Sequence, residues 1–151
     1  MQNLFSVQDK VVVVTGGSRG IGEMIAAGYL ANGAKVYITS RKADVCDATA
    51  ARLMDTYGGD CVSIPADMAT LGGIEGFVSE FRAKETHLDV LVNNAGVAWG
   101  APLEDFPEVG WDKVMDLNVK SIFFLTQAMH GLLKAGASDQ QPTKVINIAS
   151  I

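Results

Sequence analysis

The sequence predicts an α/β fold, a doubly wound parallel sheet with helices on both faces. Three observations predict it: five short apolar runs lack polar alternation, amphipathic segments lie between them, and glycine or polar residues follow the runs directly. Apolar runs without alternation are typical of parallel strands that are covered on both faces. Strands that alternate with helices imply right-handed crossovers, and therefore one sheet between two helical layers.

The apolar runs define five predicted strands, which are rich in valine and isoleucine. They lie at Val11–Thr15, Val36–Ser40, Cys61–Pro65, Val90–Asn93 and Val145–Ala149. Length and composition fit one such domain, since the chain has 151 residues, of which 48% are apolar and 19% charged. That apolar share excludes a disordered tail, because it leaves ample surface to bury.

Helical periodicity fills the segments between these strands. The first helix has a predicted buried stripe of Ile21, Ile25 and Tyr29, and a later one has Ile74, Phe77, Val78 and Phe81. The longest pattern runs from about Trp111 to Ala135 and ends at Gly136-Ala137, before a polar stretch. Its predicted inner side consists of Trp111, Val114, Ile122, Leu125, Met129 and Leu132.

Charge and cysteine content exclude several classes of function. The net charge is −5, without a run of lysine or arginine, so we expect no nucleic acid and no membrane among the partners. No apolar run reaches the roughly 18 residues of a membrane span, and Met1–Lys10 lacks the pattern of a secretion signal. Cys46 and Cys61 fit no metal or redox spacing, so we predict no metal site and two small thiols, buried or half-buried, in a reducing cytoplasm.

Polar residues follow the predicted strands at one edge of the sheet, where ligands bind in open α/β folds. The loop Thr15–Gly22, TGGSRGIG, joins the first strand to a helix and can aim backbone N–H groups at a phosphate. Glycines there let the backbone approach a pyrophosphate closely. The spacing differs from GxGxxG, and no lysine follows as a P-loop requires, so an ordinary glycine-rich turn is the alternative.

The end of the second strand indicates which cofactor fits. Sites that bind a ribose diol place an acid there, whereas this chain has Ser40 followed by Arg41. Ser40 leaves space for a 2′-phosphate, Arg41 can pair with it, and Arg19 can supply a second cation. The pattern favours NADP over NAD and disfavours a methyltransferase. A solvated loop at Arg41 and Lys42 is the alternative interpretation.

Three further side chains near this edge are candidates for binding or support. Asp67 can accept a bond from an adenine amino group, or it can cap the next helix or form an Asx turn. Asn94 can brace neighbouring strands by hydrogen-bonding backbone groups. Asn118 projects from the apolar side of the long helix, where its amide needs either a water chain or a main-chain bond.

Together these motifs resemble the short-chain dehydrogenase/reductase family, from about Asp9 to the last residue. The matching segments are TGGSRGIG at Thr15–Gly22, Asp67, NNAG at Asn93–Gly96, Asn118 in LNV and Ser150 in VINIAS. Within the family, Ala98–Val119 resembles the NADPH-dependent β-ketoacyl reductases of the rhamnolipid-type branch. The resemblance implies a Rossmann-type sheet and hydride transfer between NADP(H) and a carbonyl or alcohol substrate.

The resemblance also implies roles for individual residues. As catalytic residues, Ser150 would hydrogen-bond the substrate oxygen and Asn118 would hold a water in a proton relay. From the loop pattern and the resemblance together, we expect these cofactor-binding residues: Gly16, Ser18, Arg19, Gly20, Ile21, Gly22, Ser40, Arg41, Asp67, Met68, Asn94, Ala95 and Gly96.

One motif of the family has no match in this sequence. The family's proton donor is a tyrosine in a Tyr-x-x-x-Lys motif that follows the serine matching Ser150. Tyr29, Tyr37 and Tyr57 all precede NNAG, and none has a lysine four residues later. We therefore interpret residues 1–151 as an NADP-binding domain truncated at its C-terminus, with five strands present and the family's C-terminal strands and helices missing. The fifth strand would then lie at an open sheet edge, so we expect self-association.

The sequence-based hypothesis is an NADPH-dependent oxidoreductase that transfers a hydride to a carbonyl substrate, either a 3-oxoacyl compound or a related ketone. The alternative is a truncated or non-catalytic nucleotide-binding module without the proton-donating tyrosine. An epimerase or methyltransferase on the same fold is a third interpretation, against which NNAG and the lack of an acid at Ser40 count. We expect a small-molecule substrate and, for the full-length form, a homo-oligomer.

Overall fold

The computed structural model describes residues 5–149, which form a five-stranded sheet in the order β3-β2-β1-β4-β5. The strands are β1 (Val11–Thr15), β2 (Lys35–Thr39), β3 (Cys61–Ser63), β4 (Val90–Asn93) and β5 (Lys144–Asn147). Each neighbouring pair is parallel, so the chain must cross over one face of the sheet between strands. The predicted fold class, a doubly wound α/β sheet of the Rossmann type, is confirmed.

Strand limits agree with the prediction for β1 and β4 and differ by one or two residues for the others. β2 begins at Lys35, because that residue pairs with Val11. β3 ends at Ser63, and beyond it the N–H groups of Ile64 and Ala66 still donate to the carbonyl oxygens of Ile38 and Ser40. β5 ends at Asn147, opposite the last residue of β4.

Five α-helices occur in the described part of the chain, and they cover both faces of the sheet. They are α1 (Gly20–Ala31), α2 (Ala43–Tyr57), α3 (Leu71–Arg82), α4 (Glu108–Met115) and α5 (Ser121–Gly136). α3 buries its predicted stripe in full. The predicted stripe of α1 is confirmed in part, since Ile25 and Tyr29 are half-buried against the core, and it is wrong for Ile21, which is 59% exposed. The fully buried residues of this helix are Gly22, Ala26 and Leu30. Small residues bring this helix close to the sheet, and Ile21 instead lines a cavity.

The predicted long helix is divided by a π-helical turn at Asp116–Lys120, between α4 and α5. An i→i+5 turn accommodates an extra residue, which rotates α4 relative to α5. A single inner stripe is therefore wrong for this segment. Leu125, Met129 and Leu132 are buried as predicted, but Trp111 is 59% exposed.

The sheet separates two apolar clusters, and its fifth strand forms one edge. One cluster includes Tyr37 of β2 with residues of α3 and α5, and the other includes Val36 and Ile38 of β2 with residues of α1 and α2. On β5, Val145 and Ile146 are 43% and 38% exposed. The edge location agrees with the sequence-based expectation, since no described strand pairs with the outer side of β5.

Residues 5–149 lack two features that concern membranes and metals. None of the helices formed there is long and apolar enough to cross a membrane. No three His, Cys, Asp or Glu side chains of these residues come together in a way that could hold a metal ion. Cys46 and Cys61 are buried free thiols, and burial raises the pKa of Cys61 to about 12.

Candidate cofactor-binding site

A cavity of about 350 Å³ lies at the carboxyl edge of the sheet, where the sequence predicted a ligand site. The thirteen residues expected to bind a cofactor all line it. Sequence reasoning missed three further lining residues: Thr39, Ala66 and Leu117. The first two follow the same rule, since they lie at the ends of β2 and β3. Leu117 comes from the π-helical turn, which no sequence pattern indicated.

The glycine loop after β1 brings its backbone up to the cavity. Gly16 and Gly20 have φ values of +65° and +55°, in the left-handed region that favours glycine. A side chain at Gly22 would collide with the Gly16 carbonyl oxygen and with the Asn94 amide. Helix α1 begins at Gly20, and no side chain in the described part of the chain caps its N-terminus. Its first N–H groups are therefore available to an anion.

Asn94 fastens this loop to the neighbouring strand β4. Its Nδ2 donates to the Thr15 carbonyl oxygen at 2.9 Å. In return, Thr15 Oγ1 accepts hydrogen bonds from the backbone N–H groups of Asn94 and Ala95, each at 3.0 Å. The structure thus shows the brace that the sequence analysis expected of Asn94. These hydrogen bonds join the carboxyl ends of β1 and β4, and they hold in place the backbone that lines the cavity there.

Two cations stand at the rim of the cavity. Arg19 and Arg41 are exposed, and neither forms an ion pair within the described residues. Ser40, between β2 and Arg41, donates its hydroxyl to the Lys42 carbonyl oxygen at 3.4 Å. The end of β2 therefore presents a neutral hydroxyl and an unpaired guanidinium, which suit a phosphate better than a ribose diol.

Asp67 has one carboxylate oxygen engaged and the other without a partner in the described residues. Its Oδ1 accepts from the Ala69 N–H at 3.0 Å, which is an Asx turn. The capping alternative is wrong, because Thr70 caps α3 by accepting from the Gly73 N–H. The Asx turn holds the Asp67 carboxylate at the cavity wall and leaves Oδ2 available to a ligand.

Asn118 lies in the π-helical turn, behind the cavity wall rather than on it. Its Oδ1 accepts from the Val97 N–H at 2.9 Å, and its Nδ2 donates to the Val97 carbonyl oxygen at 2.8 Å. Of the two alternatives left open for this amide, the structure shows the main-chain bond. The second expected catalytic residue, Ser150, lies outside the described residues.

A family model described as short chain dehydrogenase matches residues 10–151. The chain belongs to this family. A rhamnolipids-biosynthesis 3-oxoacyl-[acyl-carrier-protein] reductase of Pseudomonas aeruginosa is 48% identical over 151 residues, which are 100% of this chain and 58% of that protein. This short-chain dehydrogenase therefore spans little more than half the length of that relative.

Two solved structures share the fold of this chain. The Pseudomonas aeruginosa RhlG/NADP active-site complex has a TM-score of 0.93 and 48% identity, over 99% of this chain and 58% of that one. L-Sorbose reductase from Gluconobacter frateurii, complexed with NADPH and L-sorbose, has a TM-score of 0.87 and 29% identity. That match covers 95% of this chain and 53% of the reductase chain.

Proposed function

We propose that this chain is the NADP(H)-binding part of an oxidoreductase that reduces a carbonyl substrate, a 3-oxoacyl compound or a related ketone. The observation that carries the proposal is the cavity itself, which is lined by the N-terminus of α1 and by two arginines; among residues 5–149 that N-terminus has no side-chain cap and the arginines form no ion pair. The names of the relatives support it, since one is a 3-oxoacyl reductase and two solved complexes hold NADP or NADPH.

The residues of the cavity fit a dinucleotide phosphate. The glycine loop leaves room where a Cβ would collide, and the N–H groups at the start of α1 would hold the pyrophosphate. Arg41 and Arg19 would hold the 2′-phosphate, and Asp67 Oδ2 would accept from the adenine amino group. When bound, the cofactor supplies the hydride, so the protein's own task is to bind and orient.

Catalytic roles follow from the family resemblance. Ser150 is proposed to hydrogen-bond the substrate oxygen, and Asn118 to position the adjoining backbone at Val97 and to hold a water in a proton relay. The proton donor is not among the tyrosines of this sequence: Tyr37 is fully buried and donates to Glu85, and neither Tyr29 nor Tyr57 lines the cavity. This observation favours the second candidate, a chain that binds NADPH without turning over substrate.

The assembly and location of the protein are further proposals. We propose a homo-oligomer for the full-length form and a cytoplasmic location, because NADPH chemistry and two free thiols suit a reducing compartment. The substrate would be a small carbonyl or alcohol compound.

Two measurements on the same chain test the function. Nicotinamide fluorescence during titration with NADPH measures binding, and absorbance decay after adding a 3-oxoacyl thioester measures turnover. We expect binding, with NADPH preferred over NADH. Absence of NADPH binding would contradict the proposal in both forms, whereas binding without decay would favour the non-catalytic module.

A further inference from the structure

The indole ring of Trp99 is seated on Gly110, the buried residue of α4. A Cβ at Gly110 would lie 2.7 Å from Cδ1 of Trp99 and 2.8 Å from its Cγ and Nε1. Only glycine leaves room for the ring in this position. The Lys113 ammonium lies 5.3 Å from the centroid of the same ring, within the range of a cation–π interaction.

A second attachment lies two residues before Trp99 on the same segment. The Asn118 amide holds both the N–H and the carbonyl oxygen of Val97, at 2.9 Å and 2.8 Å. Asn118 belongs to the π-helical turn that continues α4. The segment after β4 is therefore attached to one helical unit at two points, by its backbone at Val97 and by its side chain at Trp99.

This segment begins at the cavity wall, at the end of the cavity opposite Arg41, which follows β2. Gly96 lines the cavity after β4, whereas Arg41 and Asp67 line it after β2 and β3. The sheet order places β1 between β2 and β4. Under the proposed function, the adenosine phosphate lies near Arg41 and the pyrophosphate at the β1 loop. The nicotinamide half must then lie toward Gly96.

We propose that Trp99 is a positioning residue for the nicotinamide half of the cofactor. The indole seated on Gly110 holds residues 96–99 against α4, and this fixes the cavity wall at Gly96 and the Val97 backbone at Asn118. The inference rests on the proposed function. It assigns to Trp99 no contact with the cofactor, because Trp99 does not line the cavity.

Comparing the binding of NADPH with that of 2′,5′-ADP, which lacks the nicotinamide half, distinguishes a positioning role of Trp99 from a general loss of structure. For Trp99→Ala we expect the Kd for NADPH to rise about tenfold, the equivalent of about one or two hydrogen bonds, while the Kd for 2′,5′-ADP stays within twofold. Trp111→Ala is the matched control, because Trp111 is on α4, is 59% exposed and does not line the cavity. It should leave both constants unchanged. Equal Kd values for NADPH in wild type and Trp99→Ala would overturn the proposal.

Three further variants, Gly110→Ala, the double variant Trp99→Ala/Gly110→Ala and Trp99→Phe, address the contact with Gly110. Gly110→Ala displaces the ring and should raise the Kd for NADPH as Trp99→Ala does. The double variant removes the overlap, so its melting temperature should recover toward that of Trp99→Ala while its NADPH affinity stays low. Trp99→Phe keeps a flat ring on Gly110 and should restore most of the affinity. Failure of Trp99→Phe to bind better than Trp99→Ala would contradict a positioning role.

Hydrogen exchange tests the attachment without any cofactor. The Val97 N–H is bonded to Asn118, so Trp99→Ala should speed its exchange at least tenfold, while β1 amides exchange as in wild type. Unchanged exchange at Val97 would overturn the proposal even in a chain that binds NADPH. Faster exchange at Val97 in a chain that binds no NADPH would instead place the failure in the proposed function.

Discussion

At the residue scale, the charge of Arg41 is not balanced by an acidic side chain within residues 5–149. The guanidinium is exposed at the cavity rim and forms no ion pair within the part of the chain that the structure describes. An unpaired cation at the rim of a ligand-sized cavity is suited to recognition rather than to stability, since exposed ion pairs contribute little to folding. Arg41 is therefore where cofactor choice can be tested with one substitution.

We predict that Arg41→Asp lowers affinity for NADPH about tenfold or more and changes affinity for NADH little. The reason is the loss of a charge-assisted pair to the 2′-phosphate, which NADH lacks. Lys42→Asp is the matched control, because it makes the same charge change one residue away at a side chain that does not line the cavity. Fluorescence titration of both cofactors gives the ratio. A ratio that falls equally in both variants would show a general field effect instead.

At the element scale, the start of α1 depends on glycine in a way that its middle does not. Gly22 is buried against the Gly16 carbonyl oxygen and the Asn94 amide, whereas a Cβ at Gly28 would meet nothing within 4 Å. The two glycines are six residues apart on one helix. Substitutions at the two positions therefore distinguish the effect of the close contact with the glycine loop from the effect of helix propensity.

Gly22→Ala should destabilise the chain by about 1–3 kcal/mol, the usual effect of overpacking, and should lower NADPH affinity as the loop shifts. Gly28→Ala should stabilise it by about 1 kcal/mol, because alanine is the better helix former. Urea unfolding and NADPH titration measure the two effects. A loss of stability in Gly28→Ala would contradict the interpretation of that site as open helix surface.

Two side chains of β2, Lys35 and Tyr37, form a cluster of titratable groups with Glu85. The buried Tyr37 hydroxyl donates to Glu85 Oε1 at 2.7 Å, and Lys35 Nζ lies 2.8 Å from the same oxygen. Burial, and then the bond to Glu85, raise the pKa of Tyr37 from 10.0 to about 12. Burial would raise the pKa of Glu85, but its bonds to Lys35 and Tyr37 outweigh that effect and lower it.

The raised pKa of Tyr37 predicts a loss of stability in alkali. The proton is held more tightly in the folded state, so the contribution is complete below pH 10.0 and is lost as pH rises through about 12. Tyr37→Phe should therefore reduce the slope of unfolding free energy against pH in this window. Some slope should remain, because the pKa of Lys35 is also raised by Glu85.

Tyr57→Phe is the control for this measurement, since Tyr57 is 49% exposed. It should leave the slope as in wild type. If the slope of unfolding free energy against pH is equal in wild type and Tyr37→Phe, the pKa of Tyr37 does not differ between the folded and unfolded states, and the prediction is wrong.

At the scale of the whole molecule, the exposed strand β5 predicts association. Val145 and Ile146 are 43% and 38% exposed on a strand at the edge of the sheet, and an apolar edge strand pairs readily with another chain. We expect this chain to elute from a size-exclusion column as oligomer or aggregate, and Val145→Lys to shift it toward monomer. A monodisperse wild-type monomer would contradict the prediction.

Sequence reasoning located the candidate site because parallel strands share one carboxyl edge. That topological rule needs only the strand ends, and it brought residues from Gly16 to Gly96 to one cavity. The rule could not predict features that depend on the detailed path of the backbone. The extra residue of the π-helical turn placed Leu117 at the cavity and turned Trp111 outward. The packing of Trp99 against Gly110 likewise depends on the path of the loop after β4, which hydrophobic periodicity does not predict.

The brace between Thr15 and Asn94 joins residues 79 positions apart. During synthesis, the glycine loop leaves the ribosome long before the asparagine that completes its support. The nascent chain therefore carries an unfinished nucleotide pocket until β4 has emerged and paired with β1. Because domains fold as units and long-range pairing is slow, we expect the cavity to form only after β4 has been synthesised and has paired with β1.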